Sequence, residues 1–562
     1  MKITTIPRLY HNVNRARVIV SVFSKYGLAD WISQFDLDFV KGILRDRDGE
    51  ALARHTRERR IRLALAELGP TFIKIGQLLS TRGDVVGVKL ADELRQLQDD
   101  APADSPDVVR GVLEAELGQP VDALFDDFND TPLASASIGQ VYRAKLKTGE
   151  RIVVKVQHVD IEHIVREDLD ILAYLAQLAE HIPEFSSYRP VATVAELQRA
   201  VLRELDFGRE ERNLQQFSID LAHNPNVHVP RPYTELCTPR VLTMEMLDGV
   251  KLSEPEKLKA AGFDLGKIAR RGSELYLHMI FTNGCFHADP HPGNLVLLPN
   301  DVIGLLDFGM VGRIEERLRE EIEEMLLALV NRDSGHLTSI IMRVGSVPPG
   351  LDESALATDV ADFVDHYGSQ SLKQFDLSGA LNEMTETIRR YQITLPVQVA
   401  MLIKVLVTLE GTAKLLSPKF NIIEVIRPMQ RRIIQRRLSP VRHLKRLRRF
   451  YGELEHLADI LPRRLMDIVE QIRSGKFNVH LDHRGLEPSV NRLVLGMLTS
   501  ALFLGSALML SRNVPPLLFR DEVPLGLQDV SIFGLLGCVV SLILGLRLLR
   551  AIGKSGHLDR RK

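Results

Sequence analysis

The sequence predicts an α+β fold with two lobes, in which a small antiparallel sheet is followed by a lobe made mainly of helices. Three observations predict it. Two β-rich runs, residues 138–146 and 151–156, join through the polar turn Lys147-Thr148-Gly149-Glu150, which is typical of a hairpin. Apolar residues spaced three or four apart then fill most of the chain to about residue 450. Two long uncharged runs near the C-terminus add a helical hairpin to this body.

The composition excludes several classes of protein. The chain has 562 residues, with 72 Lys and Arg against 73 Asp and Glu, and this balance argues against a protein that binds nucleic acid in bulk. Three Cys in so long a chain exclude a disulfide scaffold and fit a reducing compartment. At about 150 residues each, three or four domains are expected.

The pattern along the chain suggests five segments. A helical extension at 1–105 begins without the apolar run of a signal peptide and ends in a Pro- and Asp-rich linker. A sheet-bearing lobe with a helical insertion covers 106–245, and its second strand pair is expected at Val227–Val229 and Arg240–Met246. A helical lobe at 246–450, an amphipathic linker at 451–491 and a two-helix segment at 492–550 follow.

The two uncharged runs predict a transmembrane hairpin. Leu493–Ser511 has 19 residues and Val530–Leu546 has 17, close to the length that a spanning helix needs. A buried hairpin in a soluble core is the alternative, but the Pro-containing loop between the runs favours the membrane. Small residues should allow close helix packing, and a homodimer through the hairpin is a further expectation. These small residues are Ala501, Gly505, Gly537, Ser541 and Gly545.

A basic segment precedes the hairpin. Arg427 to Arg449 contains ten Lys and Arg and no acidic residue, interleaved with apolar residues. An exposed helix face and nucleic-acid binding are alternatives, but beside a membrane hairpin we expect contact with anionic lipid. The near-zero net charge is therefore a cancellation. Residues 1–426 hold 48 basic and 62 acidic residues, whereas residues 427–562 hold 24 and 11.

The strongest chemical signal is a pair of loops. His287-Ala288-Asp289-Pro290-His291-Pro292-Gly293-Asn294 is followed by Asp307-Phe308-Gly309. This order is typical of phosphoryl transfer, with Asp289 as the base and with Asn294 and Asp307 as ligands of Mg²⁺. His287 and His291 alone could instead be a metal pair or surface histidines.

A kinase-like site also needs a cation on the phosphates of ATP, and Lys155 in Val153-Val154-Lys155-Val156 fits that place. An outward-facing lysine on a half-buried strand is the alternative. We expect Glu204 to form an ion pair with Lys155, with Asp206 as second choice. An Ala- and Ser-rich loop stands where a Gly-rich phosphate loop is usual and should be stiffer.

These residues resemble the UbiB/AarF family of atypical protein-kinase-like proteins, which are linked to ubiquinone and other isoprenoid-quinone lipids. Further marks are Lys74-Ile75-Gly76-Gln77, the Glu204-Leu205-Asp206 segment and the terminal hairpin. The resemblance runs from about residue 60 to the C-terminus. It implies an atypical kinase-like fold that uses ATP and Mg²⁺, with Lys74 and Gln77 over the active site and an adenine hinge at Met244–Met246. The nucleotide-contacting residues it implies are Leu133, Ala134, Ser135, Ala136, Ser137, Ile138, Gly139, Gln140, Val141, Lys155, Glu245 and Met246.

The sequence also bears on the acceptor of the phosphoryl group. No Ala-Pro-Glu segment follows Asp307-Phe308-Gly309, so the usual peptide-docking platform is missing. We therefore expect an ATPase or kinase that supports quinone biosynthesis. Its expected partners are anionic lipid, quinone precursors or quinone-biosynthesis enzymes, and its expected place is the inner (cytoplasmic) membrane with the body on the cytosolic side. A small-molecule phosphotransferase of the aminoglycoside or choline kinase type and a non-catalytic ATP-binding scaffold are the alternatives.

Overall fold

The computed structural model describes residues 5–28, 55–97, 101–181, 189–370, 375–426, 486–518 and 530–554, together with Met466. The chain divides into two compact units, Met1–Ser439 and Pro440–Lys562. The basic segment that the sequence assigns to anionic lipid, and nearly all of the expected 451–491 linker, lie outside the described residues.

Helices lead into the sheet of the first unit. Thr56 starts the second of them, because its hydroxyl accepts a hydrogen bond from the N–H of Arg59 (3.3 Å). Pro70 begins the third, where a missing N–H costs nothing. These helices are α1 (Thr5–Lys25), α2 (Arg57–Leu68), α3 (Pro70–Leu79), α4 (Gly83–Val86), α5 (Val88–Leu94), α6 (Pro106–Leu117) and α7 (Val121–Leu124).

The predicted hairpin lies in an antiparallel sheet of five strands. Its path is β1-β3-β4-β6, and β2 pairs with β3. The strands are β1 (Phe125–Phe128), β2 (Ala134–Ser135), β3 (Gly139–Leu146), β4 (Arg151–Gln157) and β6 (Val241–Glu245).

Strand β4 shows why this sheet presents a lysine to one side. Ile152, Val154 and Val156 are fully buried against the hydrophobic cluster that includes Val109 and Leu113 of α6. Because side chains alternate along a strand, Lys155 points to the opposite face of the sheet.

Three helices connect β4 to the next strands, namely α8 (Ile161–Glu180), α9 (Pro190–Glu204) and α10 (Phe207–Asp220). Asp206 separates the last two, since its carboxylate accepts a hydrogen bond from the N–H of Gly208 (3.0 Å) and caps α10.

The expected second strand pair is not formed. Strand β5 (Val227–His228) runs parallel to β10, whereas β6 pairs with β4 in the first sheet. The residues of β6 (Val241–Glu245) are almost all buried where the strand pairs with β4, whereas both residues of β5 are only half-buried. The second sheet has the order β5-β10-β9-β7, with β7 (Val250–Lys251), β9 (Leu295–Leu298) and β10 (Val302–Leu305).

The helical lobe surrounds this second sheet and a two-stranded ladder of β8 (Cys285–His287) with β11 (Val311–Arg313). Its main cluster joins Tyr276, Phe286, Phe308 and Leu409, so one core supports both catalytic loops. The helices are α11 (Pro255–Ala260), α12 (Leu265–His278), α13 (Glu316–Val330), α14 (Ser334–Val344), α15 (Glu353–Gly368), α16 (Leu377–Arg390) and α17 (Val397–Leu416).

The second unit contains two long helices, α18 (Leu486–Ser511) and α19 (Ile532–Lys554), and the short strands β12 (Leu517–Leu518) and β13 (Val530–Ser531). Both helices are long and apolar enough to cross a membrane. Most of the side chains in these apolar stretches are exposed, unlike those of helices in a soluble core.

The small-residue prediction for the hairpin is right on one helix and wrong on the other. Gly537 of α19 lies directly against Ser506, and Ser541 is 2% exposed. On α18, however, Ala501 and Gly505 are exposed, and Ser506 is buried instead. The contacting face of α18 is therefore rotated by about one residue from the predicted stripe.

Candidate functional site

Lys155 forms the central ion pair of the site with Glu210. The Nζ of Lys155 lies 2.8 Å from Oε2 of Glu210 and 3.9 Å from Oδ1 of Asp307. Glu210 is 4% exposed. Burial acts to lower the pKa of Lys155, but attraction to Asp307 and Glu210 outweighs it and holds that pKa above its ordinary value. Lys155 therefore stays charged and faces the cleft.

The prediction that Glu204 forms the ion pair with Lys155 is wrong, because Glu204 pairs with Lys74 instead. The sequence suggests one helical stretch from 204 to 213, with Glu204 as the partner and Asp206 as second choice. The chain instead breaks at Asp206, which is used as a helix cap, so Glu204 ends α9 and Glu210 lies one turn inside α10. Asp206, a preferred N-cap residue followed by an acidic residue in the first turn, was the available sequence signal for this break.

Glu210 also holds the Asp307-Phe308-Gly309 loop. Its Oε1 accepts a hydrogen bond from the N–H of Phe308 (3.2 Å), and Asn213, one turn further along α10, donates to the carbonyl of Phe308 (3.0 Å). Helix α10 thus fixes both Lys155 and the backbone next to Asp307.

Lys74 reaches the site from the N-terminal extension. Its Nζ lies 3.3 Å from Oε2 of Glu204, and both side chains are largely buried. Lys74 is close enough to contribute to lowering the pKa of Asp307 and of Lys404. Gln77 is half-buried on the same helix, and its carbonyl accepts a hydrogen bond from the hydroxyl of Ser80 (2.6 Å).

Gly76 allows this helix to lie where it does. A Cβ atom at position 76 would overlap the side chain of Leu97 and press on Leu65. Any larger residue at this position would force the Leu97 side chain to move, so the glycine allows the close packing of α3 on its neighbours.

His287 joins the two catalytic loops from a fully buried position. Its Nε2 lies 2.9 Å from the carbonyl oxygen of Leu306 and 2.8 Å from that of Asp307, so Nε2 carries the proton and donates. Its Nδ1 accepts from the N–H of Asp289 (3.3 Å). With both ring nitrogens occupied, His287 does not form the metal pair with His291 that the sequence left open.

Asp289 and Asn294 lie together at the mouth of the site. The side-chain N–H of Asn294 donates to Oδ2 of Asp289 (2.7 Å), which leaves the amide oxygen of Asn294 as a possible metal ligand. Within the described ranges, no group of three or more His, Cys, Asp or Glu is placed to hold a metal ion. Mg²⁺ usually binds through one or two protein oxygens together with phosphate and water, and the carboxylate of Asp307 and the amide oxygen of Asn294 fit such a set.

Asp307 combines a strained backbone conformation with a carboxyl group that stays ionised, and both properties are common at functional sites. Its φ of +52° lies in the left-handed region, which is costly for a residue with a Cβ. Attraction to Lys155 holds the pKa of its carboxyl well below the ordinary range. The carboxylate is 53% exposed, so a charged oxygen ligand faces the cleft.

Lys404 was missed by the sequence reasoning. It lies on α17, is 11% exposed, and its Nζ is 4.0 Å from Oδ1 of Asp289. Burial lowers the pKa of Lys404, although Asp289 opposes that shift. The same helix braces the loop through Thr412, whose hydroxyl donates to the carbonyl of Pro290 (2.9 Å). A lone Lys within the apolar run 399–409 was the available signal.

The Ala-rich loop is a closed turn. Its ends pair as part of β2 and β3, and the N–H of Ala136 donates to the carbonyl of Gly139 (2.8 Å). Nε2 of His158 lies 2.8 Å from the carbonyl of Ala136, while Nδ1 lies 3.1 Å from the carboxylate of Asp104. These contacts fit the expectation of a stiff loop.

Several residues expected to contact the nucleotide have other partners. Gln140 is fully buried and bonds to Asp104 and Tyr142 inside the small lobe, and Ser137 is also buried. At the expected hinge, Glu245 accepts from the N–H of Arg231 (3.1 Å) and Met246 donates its N–H to Arg151 (3.1 Å). That Ser137, Gln140, Glu245 and Met246 contact a nucleotide remains a prediction from the resemblance.

Three family models match the chain and together cover most of it. They are described as the ABC1 atypical kinase-like domain (residues 96–341), the UbiB helical domain (360–421) and the ABC1/UbiB kinase-like C-terminal domain (480–554). The first contains the two catalytic loops and Lys155, the second contains Lys404, and the third contains the apolar hairpin.

Curated proteins similar to the chain extend the match. A protein named Probable protein kinase UbiB from Xylella fastidiosa is 33% identical over 504 residues, which cover 88% of this chain and 91% of that protein. A chloroplastic protein of Arabidopsis thaliana, named Activity of BC1 complex kinase 7, is 31% identical over 89% of this chain and 72% of its own. Among solved structures, a Mycobacterium tuberculosis protein in complex with erythromycin is 24% identical over 63% of this chain and 90% of its own, with a TM-score of 0.43.

The geometry of the site and the comparisons point to the same family. The site has the paired catalytic loops and the lysine–glutamate pair, and the matches extend along nearly the whole chain. The chain belongs to the UbiB-like family of atypical kinases.

Proposed function

We propose that this chain is an ATP- and Mg²⁺-dependent atypical kinase or ATPase that acts at a membrane and supports isoprenoid-quinone biosynthesis. The observation that carries the proposal is the placement of Lys155 between Glu210 (2.8 Å) and Asp307 (3.9 Å). In protein kinases, a lysine–glutamate pair and an aspartate that holds Mg²⁺ must both be in place for phosphoryl transfer from ATP.

The charges of the site fit a nucleotide with its metal ion. Lys155 would contact the phosphates, while Asp307 and the amide oxygen of Asn294 would hold Mg²⁺. Bound Mg²⁺ supplies positive charge that neutralises the phosphate oxygens. The ionised state of Asp307, which Lys155 enforces, supports this assignment.

Asp289 is the proposed base. Asn294 orients one of its carboxylate oxygens through a 2.7 Å hydrogen bond, and Lys404 faces the other. In this arrangement Asp289 accepts the proton of the attacking hydroxyl or water, while Lys404 balances the negative charge of its carboxylate. Lys404 acts here as a positioning residue.

The acceptor is proposed to be water or a small or lipid molecule. After Asp307-Phe308-Gly309 the chain goes through β11 almost directly into α13, which leaves little room for a peptide-docking segment. Lys74, together with Glu204, adds a helix of the extension next to the site. Both features support restricted access for a protein substrate, and the resemblance supports a role near quinone precursors or their enzymes.

The terminal hairpin indicates membrane association. We propose that it inserts into the inner (cytoplasmic) membrane with the kinase-like body on the cytosolic side, because basic residues follow the second span. Contact of the basic 427–449 segment with anionic lipid and a homodimer through the hairpin remain proposals of the same kind.

The proposal can be tested by phosphate release from ATP by the full chain in lipid nanodiscs. We expect turnover that requires Mg²⁺ and that Asp307→Asn abolishes, because the amide removes a charged metal ligand. Asp122→Asn is the matched control. Asp122 is 89% exposed and forms an ion pair with Arg110 (3.1 Å), which has no role in the candidate site. This variant should retain turnover.

Unchanged turnover in Asp307→Asn would sink the site assignment. Phosphorylation of a soluble alcohol, with no effect of membranes, would instead support a small-molecule phosphotransferase. Nucleotide binding without any turnover by the wild type would support a scaffold.

A further inference from the structure

A second cavity lies beside the candidate site in the first unit. Its volume is about 810 Å³, and it is bounded by the end of α3, by α9, by the segment 309–313 and by the start of α17. This volume is in the range of sites that hold ordinary small-molecule ligands, about 300–1,000 Å³. Asn213 and Gly309 form part of its wall, so the cavity adjoins the site, but none of Lys155, Asp289, Asn294 and Asp307 lines it.

The wall of the cavity is rich in arginine. Six arginines line it, and the carboxylates among its lining residues are Glu196 and Glu204. Both carboxylates have cationic partners, since Glu196 pairs with Arg82 (3.0 Å) and Glu204 with Lys74 (3.3 Å). The arginines are Arg82, Arg199, Arg203, Arg209, Arg212 and Arg313.

Two of these arginines are available to a ligand. Arg203 and Arg209 are exposed, and within the described parts of the chain neither forms an ion pair with a carboxylate. They belong to a region, residues 1–426, in which acidic residues outnumber basic ones by 62 to 48. A cluster of arginine in an acidic body gives a local positive field that attracts anions.

The rest of the wall is apolar. Half-buried side chains from three helices and from the 309–313 segment contribute to it, so the cavity combines a cationic edge with an apolar surface. The apolar residues include Leu78, Leu79, Leu197, Met310 and Met401. Guanidinium groups bind phosphate and carboxylate in a bidentate manner, whereas the apolar surface favours hydrocarbon.

We infer that this cavity binds an anionic amphiphile, meaning a single-chain molecule with a phosphate or carboxylate head on an apolar body. Arg203 and Arg209 hold the head, and the surface around Leu197 and Met401 holds the body. The size of the cavity favours a ligand-sized molecule over a two-chain bilayer lipid. The inference concerns binding alone and does not depend on phosphoryl transfer.

The test uses octyl phosphate as the probe and the full chain in phosphatidylcholine nanodiscs without nucleotide. Titration calorimetry compares the wild type with Arg203→Gln/Arg209→Gln. We expect octyl phosphate to bind the double variant about tenfold more weakly or worse, because both guanidinium contacts with the head are lost. Arg270→Gln/Arg317→Gln changes the net charge equally at exposed positions outside the cavity and should bind like the wild type.

The chemistry of the probe is tested separately. Octanol and inorganic phosphate should each bind at least about tenfold more weakly than octyl phosphate, since each lacks one half of the recognised group. Met401→Gln should weaken octyl phosphate binding while leaving the thermal unfolding midpoint near that of the wild type.

Equal binding by the arginine variant, or by octanol, would overturn the inference. So would loss of octyl phosphate binding in nanodiscs that contain phosphatidylglycerol, because a bilayer lipid would then be the occupant. The Asp307→Asn protein serves to separate the two proposals. It should bind the probe like the wild type whether or not it retains turnover.

Discussion

The kinase-like body and the terminal hairpin differ in which side chains they bury. The body buries a pair of charged side chains, whereas the hairpin exposes large apolar side chains and buries a small one. In the body, Lys155 and Glu210 are 18% and 4% exposed and meet at 2.8 Å. In the hairpin, Leu504 and Leu508 are 67% and 68% exposed, while Ser506 is 5% exposed.

The difference reflects the medium that each region requires. Moving a charge out of water costs free energy, so the charges buried in the body are those that are paired. Exposed leucines along two long helices are stable in hydrocarbon, where close contact depends on small residues instead. The body is thus organised around a charged site and the hairpin around a small-residue contact.

The largest expected effect separates two glutamates of the body. Glu210→Gln should lower ATP turnover by about 10²-fold or more, because Lys155 and the backbone of Phe308 lose their partner. Glu204→Gln, which removes the partner of Lys74, should have a clearly smaller effect. Steady-state phosphate release by both variants checks this, and a reversed order would restore Glu204 as the partner of Lys155.

The second prediction tests whether the two helices of the hairpin span a membrane. Leu504→Arg places a charge near the middle of an apolar span, and its insertion should cost about 2.5–3.5 kcal/mol. We expect a smaller fraction of the protein to remain in membranes after an alkaline wash. Leu493→Arg is the control, because it lies at the end of the span next to Arg492 and can reach the interface. Equal retention of the two variants would contradict a transmembrane hairpin.

The third prediction tests the positioning role of Lys404. Lys404→Met should lower kcat for ATP turnover by about 10-fold to 100-fold, as for other residues that orient a catalytic group. Its KM for ATP should change little, and Lys404→Arg should recover part of the rate. Lys414→Met, on the same helix but paired with Glu410 (3.0 Å), is the matched control. A change in KM alone would point to nucleotide binding instead.

The smallest expected effect is in the helix contact of the hairpin. Gly537→Leu inserts a side chain against Ser506 and should weaken helix association by about 1–2 kcal/mol. Gly496 lies against the side chain of Leu548 across the helices, so cysteines placed at both positions should be joined by a short thiol-reactive cross-linker in a background without the native cysteines. We expect the yield of that cross-link to fall with Gly537→Leu. Gly505→Leu, on an exposed face, should leave the yield unchanged.

Much of the site could be predicted because its motifs are local. Asp289, Asn294 and Asp307 lie in two short loops, and the β4 pattern alone indicates that Lys155 faces away from the small-lobe core. The Lys155 partner could not be predicted in this way, because a single capping residue, Asp206, decides which glutamate reaches the lysine. Lys404 comes from a helix more than a hundred residues after Asp289, and only packing brings the two together.

The sequence by itself determined the order of the elements, the family resemblance, the two apolar spans and the chemistry of the catalytic loops. These follow from local patterns of charge, period and spacing. Only the tertiary structure decided that Glu210 pairs with Lys155, that Lys404 faces Asp289, that Ser506 forms the hairpin contact and that six arginines line one cavity. Each of these depends on which face of a helix turns inward, and that is set by packing between segments far apart in the chain.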